Sequence, residues 1–393
     1  LDIDLFSPEA IKNPWPYVEQ VQAAGPVVYN ERIGTWMVTD DQLIRKTLAN
    51  SDRYKIEGSI AEEVFGPEAF ITMDNKARHN ALRGIWSVAF QRDSLERLGT
   101  LIAGIADEMM DKIEDRFRAG ETIDAMAAFG RELPAYVIAH MLGVPDEARP
   151  KIVEWSDRIG EGVSEPPNFS RDSNPAWLAS EQAKAELADY ILGQIEERRR
   201  RPGDDLISQI VHSDVGRGLS DHAIMANTRQ LLFAGNETTA KWLGHSLVVL
   251  AQHPDVRREL VANRGLLPNA LEEIMRWEPV VLIIPRLVSG GDAEIAGTRI
   301  PEGADISLIT AAANRDPLRY EDPNRLNIHR EYKANLGFGY GLHSCLGVTL
   351  ARLEAQVTIS RVLDRMPDFV LAGDVDYGAF QLRGPLNVPL ALN

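Results

Sequence analysis

Phe338-Gly339-Tyr340-Gly341-Leu342-His343-Ser344-Cys345-Leu346-Gly347 carries the only cysteine in a chain of 393 residues. A lone cysteine in a soluble protein is most often a small buried hydrophobe. Its setting here argues for more. Gly339 and Gly341 permit tight turns without a Cβ, close to a ligand. From Leu346 the apolar positions Leu350, Leu353, Val357 and Val362 fall at helical spacing and predict about four turns of helix. Cys345 therefore stands at a predicted helix N-terminus, where free N–H groups and the positive dipole end favour thiolate over thiol. A thiolate held by backbone donors is a soft metal ligand, and one of the axial ligands that hold haem iron.

Working outward, the bulk numbers bound the answer. The formal net charge is −16, which argues against nucleic acid as a partner because phosphate binding needs a basic face. No apolar run approaches the length that spans a bilayer, so no membrane association is expected. The acidic start, Leu1-Asp2-Ile3-Asp4-Leu5, lacks the basic and apolar regions of a signal peptide. A single cysteine forms no intrachain disulfide, in keeping with a reducing, cytoplasmic setting. Repeats, low-complexity tracts and linkers are absent, so one unit over residues 1–393 is expected.

The periodicity predicts a mainly α chain with small β-sheets. Residues 27–29 and 36–39 read as a hairpin, Asp40 as a helix cap, and 98–117, 133–142, 151–159 and 177–201 as helices. Between the last two, residues 161–168 are rich in helix breakers and read as a mobile connection. Arg198 to Arg201 complement a helix C-terminus. The longest pattern runs over 220–253 and is apolar on nearly every face of its second half. Inside it, Ala234-Gly235-Asn236-Glu237-Thr238-Thr239 weakens the helix, and a glutamate there is costly to bury. The Thr238 hydroxyl can bond back to the Ala234 carbonyl and open the helix locally. His79 and Arg83 share a helix face, for which a solvated basic stripe is the ordinary explanation. Glu273 and Arg276, three apart on a predicted helix over 268–277, would contribute only a few tenths of a kcal/mol if exposed. Residues 280–284 read as a buried strand, followed by Arg286.

Taken together these stretches resemble the cytochromes P450. The spacing of Phe338, Gly341, Cys345 and Gly347 looks like the haem-ligand loop of that family, and three further matches follow in the expected order. The resemblance implies the cytochrome P450 fold, with haem between the long central helix and the Cys-ligand loop and helix. Cys345 would be the iron ligand of haem b (iron protoporphyrin IX), framed by Phe338, Gly339 and Gly347. His79, Arg83, Arg286 and His343 would reach the haem propionates, where arginine supplies bidentate donors. Ala234 and Gly235 would line the oxygen-binding groove, with Glu237 and Thr238 as its acid–alcohol pair. Glu273 and Arg276 would be buried and joined by Arg325 from a later loop, Leu326 standing where an aromatic is more usual. The segment 53–74 would cover the substrate pocket, 161–168 would act as a lid, and the C-terminal hairpin near 380–389 would close it.

The implied activity is monooxygenation, with Glu237 and Thr238 delivering protons while the thiolate favours O–O cleavage. Nothing in the chain resembles a flavin or iron–sulfur domain, so the resemblance implies a separate ferredoxin- or flavodoxin-type electron donor with its reductase. That donor would dock on the Cys345 face beside Arg352, and a monomer is expected. Phe65, Phe70, Leu231, Val281, Leu282, Ile283, Ile284 and Phe380 predict an apolar pocket, hence a small, neutral, hydrophobic substrate. A peroxygenase using hydrogen peroxide and a haem-binding sensor without turnover are the competing readings; neither has a use for the Glu237–Thr238 pair. A structural cysteine in an all-α protein is the reading without haem.

Overall fold

The computed structural model describes residues 1–165 and 169–393. The 166–168 part of the expected lid lies outside the described residues. The fold is organised on one long helix, Asp221–Gln252. Ser220 caps it by accepting from the Ala223 N–H at 3.0 Å, and Pro254, which opens the next helix, prevents its continuation. Its thirty-two residues give a rod of about 48 Å. Leu231, Leu232, Phe233, Trp242, Leu243 and Leu247 are buried on different faces, so helices pack around it rather than on one side. Among them are Glu132–Met141, Arg149–Gly162, Pro175–Arg200 and Val348–Arg365, and all four touch it.

The sheets are small, as the sequence predicts. Five strands run in the order Val27–Asn30, Thr35–Val38, Asp305–Leu308, Ile284–Val288, Tyr54–Lys55. Only Thr35–Val38 and Asp305–Leu308 pair in parallel. The expected hairpin forms with Val28 opposite Met37, and Asp40 caps the helix Asp41–Ala49 through the Leu43 N–H at 2.8 Å. The strand expected over 280–284 is displaced: regular pairing starts at Ile284 and runs to Val288, while Val281 makes one isolated bridge to Leu382. Val280, Leu282 and Ile283 are buried and Val281 half-buried, and the segment is tied to the C-terminal stretch by the Leu282 N–H to the Gln381 carbonyl at 3.0 Å and the Arg383 N–H to the Val280 carbonyl at 2.8 Å.

Glu273 and Arg276 lie on the helix Leu267–Trp277 and are both buried. Arg276 donates from Nε and Nη2 to the two carboxylate oxygens of Glu273, each at 2.7 Å. Its Nη1 donates to the Asn314 and Pro323 carbonyls at 2.9 and 2.8 Å. The second arginine is Arg330, not Arg325. Arg330 Nε donates to Glu273 Oε1 at 3.1 Å, and the Asn327 N–H reaches the same oxygen at 2.9 Å. Arg325 is exposed and contributes only its carbonyl, which accepts from Arg276 Nη2 at 3.2 Å. Arg330 is further held by the turn at Asp322 (φ 44°), donating to the Glu321 and Asp322 carbonyls at 2.6 and 3.3 Å.

Removing either guanidinium leaves a different debt. Arg276→Ala strands a buried carboxylate, which typically costs about 3–5 kcal/mol. Arg330→Ala removes its charge-assisted bond to Glu273, about 1.5–3 kcal/mol, together with half-exposed bonds to the Glu321, Asp322 and Arg325 carbonyls. Arg325→Ala should stay within about 0.5 kcal/mol of wild type, as surface substitutions do. Urea unfolding midpoints of the three variants should therefore fall in the order Arg276→Ala, Arg330→Ala, Arg325→Ala, the first lowest; equal loss in the last two would contradict the assignment.

Candidate active site

The Cys345 loop is held by its own backbone. The Cys345 N–H donates to the Phe338 carbonyl at 2.9 Å, and the Ser344 N–H to Gly341 at 3.1 Å. Gly339 and Gly341 sit at φ of 68° and 75°, and a Cβ on Gly341 would stand 2.8 Å from the Leu48 carbonyl oxygen. The helix that follows, Val348–Arg365, starts three residues after the cysteine. Cys345 is thus just outside the helix; its residue is exposed, on the wall of a cavity whose surrounding protein desolvates the thiol. Burial pushes the thiol above its ordinary value; the Gly347 N–H, Arg83 and Arg352 pull the other way. The helix terminus alone does not make the thiolate, and a bound metal would complete its deprotonation. The Phe338 ring packs edge-on against Trp242 at 5.6 Å, and Gly347 lines the same cavity. Arg352 lies over Phe338 at 5.3 Å and is held by Glu272 at 2.6 and 3.1 Å, so its charge is already engaged.

At one edge of the cavity four donors converge from three segments. His79 and Arg83 come from the helix Lys76–Ser87, Arg286 from the strand Ile284–Val288, and His343 from the cysteine loop. The two imidazoles meet edge to face at 5.0 Å, and burial lowers the basicity of both. His79 Nε2 and His343 Nδ1 are buried without a partner. Arg286 is buried, its guanidinium pulled down to about 10 by desolvation. It donates only to its own neighbour's carbonyl, Pro285, at 2.7 Å. An acid close to them is Asp74, buried, which meets His343 Nε2 at 3.3 Å and accepts from the Ile56 and Glu57 N–H groups. Donors outnumber acceptors at this edge, which suits a guest that carries carboxylates. Sequence reasoning missed Asp74, which carries no motif, and also Glu354. Glu354 lines the cavity with Oε2 unpartnered, its carboxyl pushed well up by burial.

The facing wall is the long helix. Thr238 Oγ1 donates to the Ala234 carbonyl at 2.8 Å, and Ala234, Gly235, Thr238 and Thr239 all line the cavity. Gly235 lets the helix close on Ile138, which a Cβ would meet at 3.2 Å. Glu237 does not join them. Its carboxylate pairs with Lys241 at 2.6 Å and lines a second cavity on another face of the helix, together with Arg131, Asp157 and Glu161. Lys241 is fixed in turn by the Leu382 carbonyl at 2.7 Å. Asp157 is pushed up to about 6 by burial and by the charge of Glu237.

The remaining walls are apolar: Phe70, Ile71, Ile138, Leu231, Val281 and Ile284. Four residues expected there are elsewhere. Phe65 packs on Phe233 at 5.9 Å, and Leu282, Ile283 and Phe380 belong to a separate core with Ile3, Leu5 and Met37. Alternation along an extended chain sends neighbouring side chains to opposite faces, so a run of five apolar residues cannot all face one cavity.

A family model described as Cytochrome P450 matches residues 27–366. The chain belongs to the cytochrome P450 family. It is 30% identical to the putative cytochrome P450 YjiB of Bacillus subtilis over 357 residues, 90% of this chain and 88% of that one. To the vitamin D3 dihydroxylase of Streptomyces griseolus it is 30% identical, covering 92% and 89% of the two chains. Among solved structures it is similar to CYP109E1 from Bacillus megaterium in complex with testosterone (TM-score 0.89, 27% identity, 98% and 100% covered). P450BioI in complex with a hexadecenoic-acid-ligated acyl carrier protein matches equally well, with a TM-score of 0.89 at 28% identity and 98% and 100% covered. This cytochrome P450 is therefore an oxidoreductase of the monooxygenase family, which uses haem. No helix among the described residues is long and apolar enough to cross a membrane.

The donor edge and the thiol fit haem, and they can be separated experimentally. Arg286→Ala removes a buried donor and Arg83→Ala a half-buried one, so haem should transfer to apomyoglobin faster from both variants. Arg286→Ala should show the larger effect, since a buried carboxylate without its arginine costs on the order of 3–5 kcal/mol. Wild-type transfer rates in both variants would exclude this edge as the propionate site.

Proposed function

We propose that this cytochrome P450 holds haem b and inserts one oxygen atom from dioxygen into a small, neutral, hydrophobic molecule. Its electrons would come from a separate ferredoxin- or flavodoxin-type donor with its reductase. The observation that carries the reading is the Thr238 hydroxyl, bonded to the Ala234 carbonyl on the wall of the cavity into which Cys345 opens. Haem supplies the redox centre for dioxygen activation. Cys345 Sγ would hold its iron, and Arg83, Arg286, His79 and His343 would hold its acids. The hydroxyl of Thr238 accepts a hydrogen bond from water or hands on a proton, because its own proton is already committed to Ala234. Glu237 is the preceding residue and faces the second cavity, so it takes protons there and delivers them towards Thr238 when its pair with Lys241 opens. Asp157, half-protonated near pH 6 in the same cavity, is a ready source.

The apolar walls support a neutral substrate. Only two basic side chains of the Lys or Arg type line the cavity, Arg83 and Arg286, and both belong to the acid-binding edge. A neutral ligand of the testosterone kind, as in CYP109E1, suits such walls better than a free carboxylate.

Thr238→Val keeps shape and removes the hydroxyl, so haem content and substrate affinity should persist. Reductant consumption should continue while product falls, the missing equivalents appearing as hydrogen peroxide. General acid–base assistance is worth roughly 10²–10⁴-fold, so the loss of coupling should be large. A fully coupled Thr238→Val variant would remove the proton-delivery role and favour a peroxygenase or a sensor.

A further inference from the structure

The stripe of the long helix that faces the cavity reads Gln230, Leu231, Ala234, Gly235, Thr238, Thr239. Five of these are apolar or tied to the oxygen-side opening. Gln230 is neither, and it is buried. Asn227, one turn earlier, has the same chemistry and a complete set of partners. Its Oδ1 accepts from the Phe70 N–H at 2.9 Å, and its Nδ2 donates to the Glu68 and Ala223 carbonyls at 2.9 and 2.7 Å. Gln230 has one bond only: its Oε1 accepts from the Ile71 N–H at 3.3 Å. That N–H fixes which amide atom is oxygen, and so leaves Nε2 facing the cavity with no partner among the described residues. An amide on the cavity wall with its donors unused favours a guest that brings an acceptor.

We propose that Gln230 is the specificity-determining contact of this enzyme, its Nε2 donating to a neutral acceptor oxygen (ketone, ester or ether) at one end of the substrate. The proposal rests on the monooxygenase reading above. Gln230 and Thr238 are eight residues apart, which is about 12 Å along the helix axis. Between them Leu231, Ala234 and Gly235 present only apolar or minimal surface, so the body of the ligand is apolar and lies along the helix. The position oxidised is then remote from the acceptor by roughly that 12 Å. A carboxylate would need a cation at the Gln230 end. None lines it: neighbouring Arg229 turns to the Phe65 carbonyl at 3.0 Å. A ligand that offers only donors meets at this end an oxygen already engaged by the Ile71 N–H, whereas an acceptor meets the unused Nε2.

The probes are 2-undecanone, labelled with carbon-13 at its carbonyl, and undecane, which has the same length and no acceptor. The holoenzyme should bind the ketone about 10-fold more tightly than the alkane, the ratio expected for one net hydrogen bond. The infrared carbonyl stretch of the bound ketone should be lowered, and its oxidation should fall near the far methyl end. Gln230→Met keeps length and apolar fit without the donor. It should erase the 10-fold ratio and return the carbonyl stretch towards its free value, without weakening undecane binding. Gln230→Glu retains an acceptor for the Ile71 N–H, so loss of ketone preference there too excludes a displaced 70–72 turn as the cause. A wild-type ratio near one, or a ratio and carbonyl stretch unaltered in Gln230→Met, would overturn the proposal. The infrared shift is independent of turnover. Absence of a thiolate-type ferrous–CO band in the wild type would instead sink the monooxygenase reading while leaving that shift to be judged on its own.

Discussion

A buried carboxylate, that of Glu273, is the constraint on which the site depends. Taking a charge out of water is tolerable only if its oxygens are fully matched by donors. Glu273 is matched by two bonds from Arg276, one from Arg330 and one from the Asn327 N–H. Arg276 then has donors left over, and they fasten the Asn314 carbonyl. Asn314 accepts the Leu336 N–H through its side chain at 2.7 Å, and Leu336 leads directly into the cysteine loop. Gly337 in that loop lies so close to Met275 that a Cβ would come within 2.6 Å of it. The position of Cys345 is thus transmitted from a helix seventy residues upstream by a chain of bonds that has little slack.

The long helix has a different duty. It is a partition between two cavities of unlike character, one apolar with a thiol, the other lined by ionisable groups. Adjacent residues on a helix point about 100° apart, so Glu237 and Thr238 address different cavities while remaining one peptide apart. This arrangement keeps carboxylates and water away from an apolar substrate. On the apolar side the Thr238 hydroxyl bonds back to the Ala234 carbonyl within an unbroken helix.

Docking of an electron donor near Cys345 remains consistent with the family's chemistry, yet Arg352 is already committed to Glu272 and to the Phe338 ring. Its contribution is to hold the loop and lend positive potential to the thiol. An ion pair of this kind stabilises geometry more than it steers a partner, because its field is largely cancelled by its own counter-charge.

Local rules made much of this protein legible in the sequence. The helix of the 220–253 pattern, its Ser220 cap and its Pro254 stop follow from capping and from proline's missing N–H. The shared face of His79 and Arg83 follows from helical period, and the glycine turns around Cys345 from backbone sterics. The small hairpin follows from alternation about a glycine turn. What the tertiary structure alone decided is which of several chemically equivalent groups meets a distant partner. Arg325 and Arg330 are alike in sequence, and it is Arg330 that meets Glu273 and the carbonyls of the turn at Asp322. Leu282 and Ile283 are as apolar as Val281, and the path of an extended segment between two cores sorts them. Asn227 and Gln230 are both amides on one helix whose oxygens accept from the Phe70 and Ile71 N–H groups, and the Asn227 nitrogen in addition meets the Glu68 and Ala223 carbonyls while Gln230 lines the cavity. Period and propensity act over a few residues, whereas these choices depend on contacts between segments far apart in the chain, which no local pattern encodes.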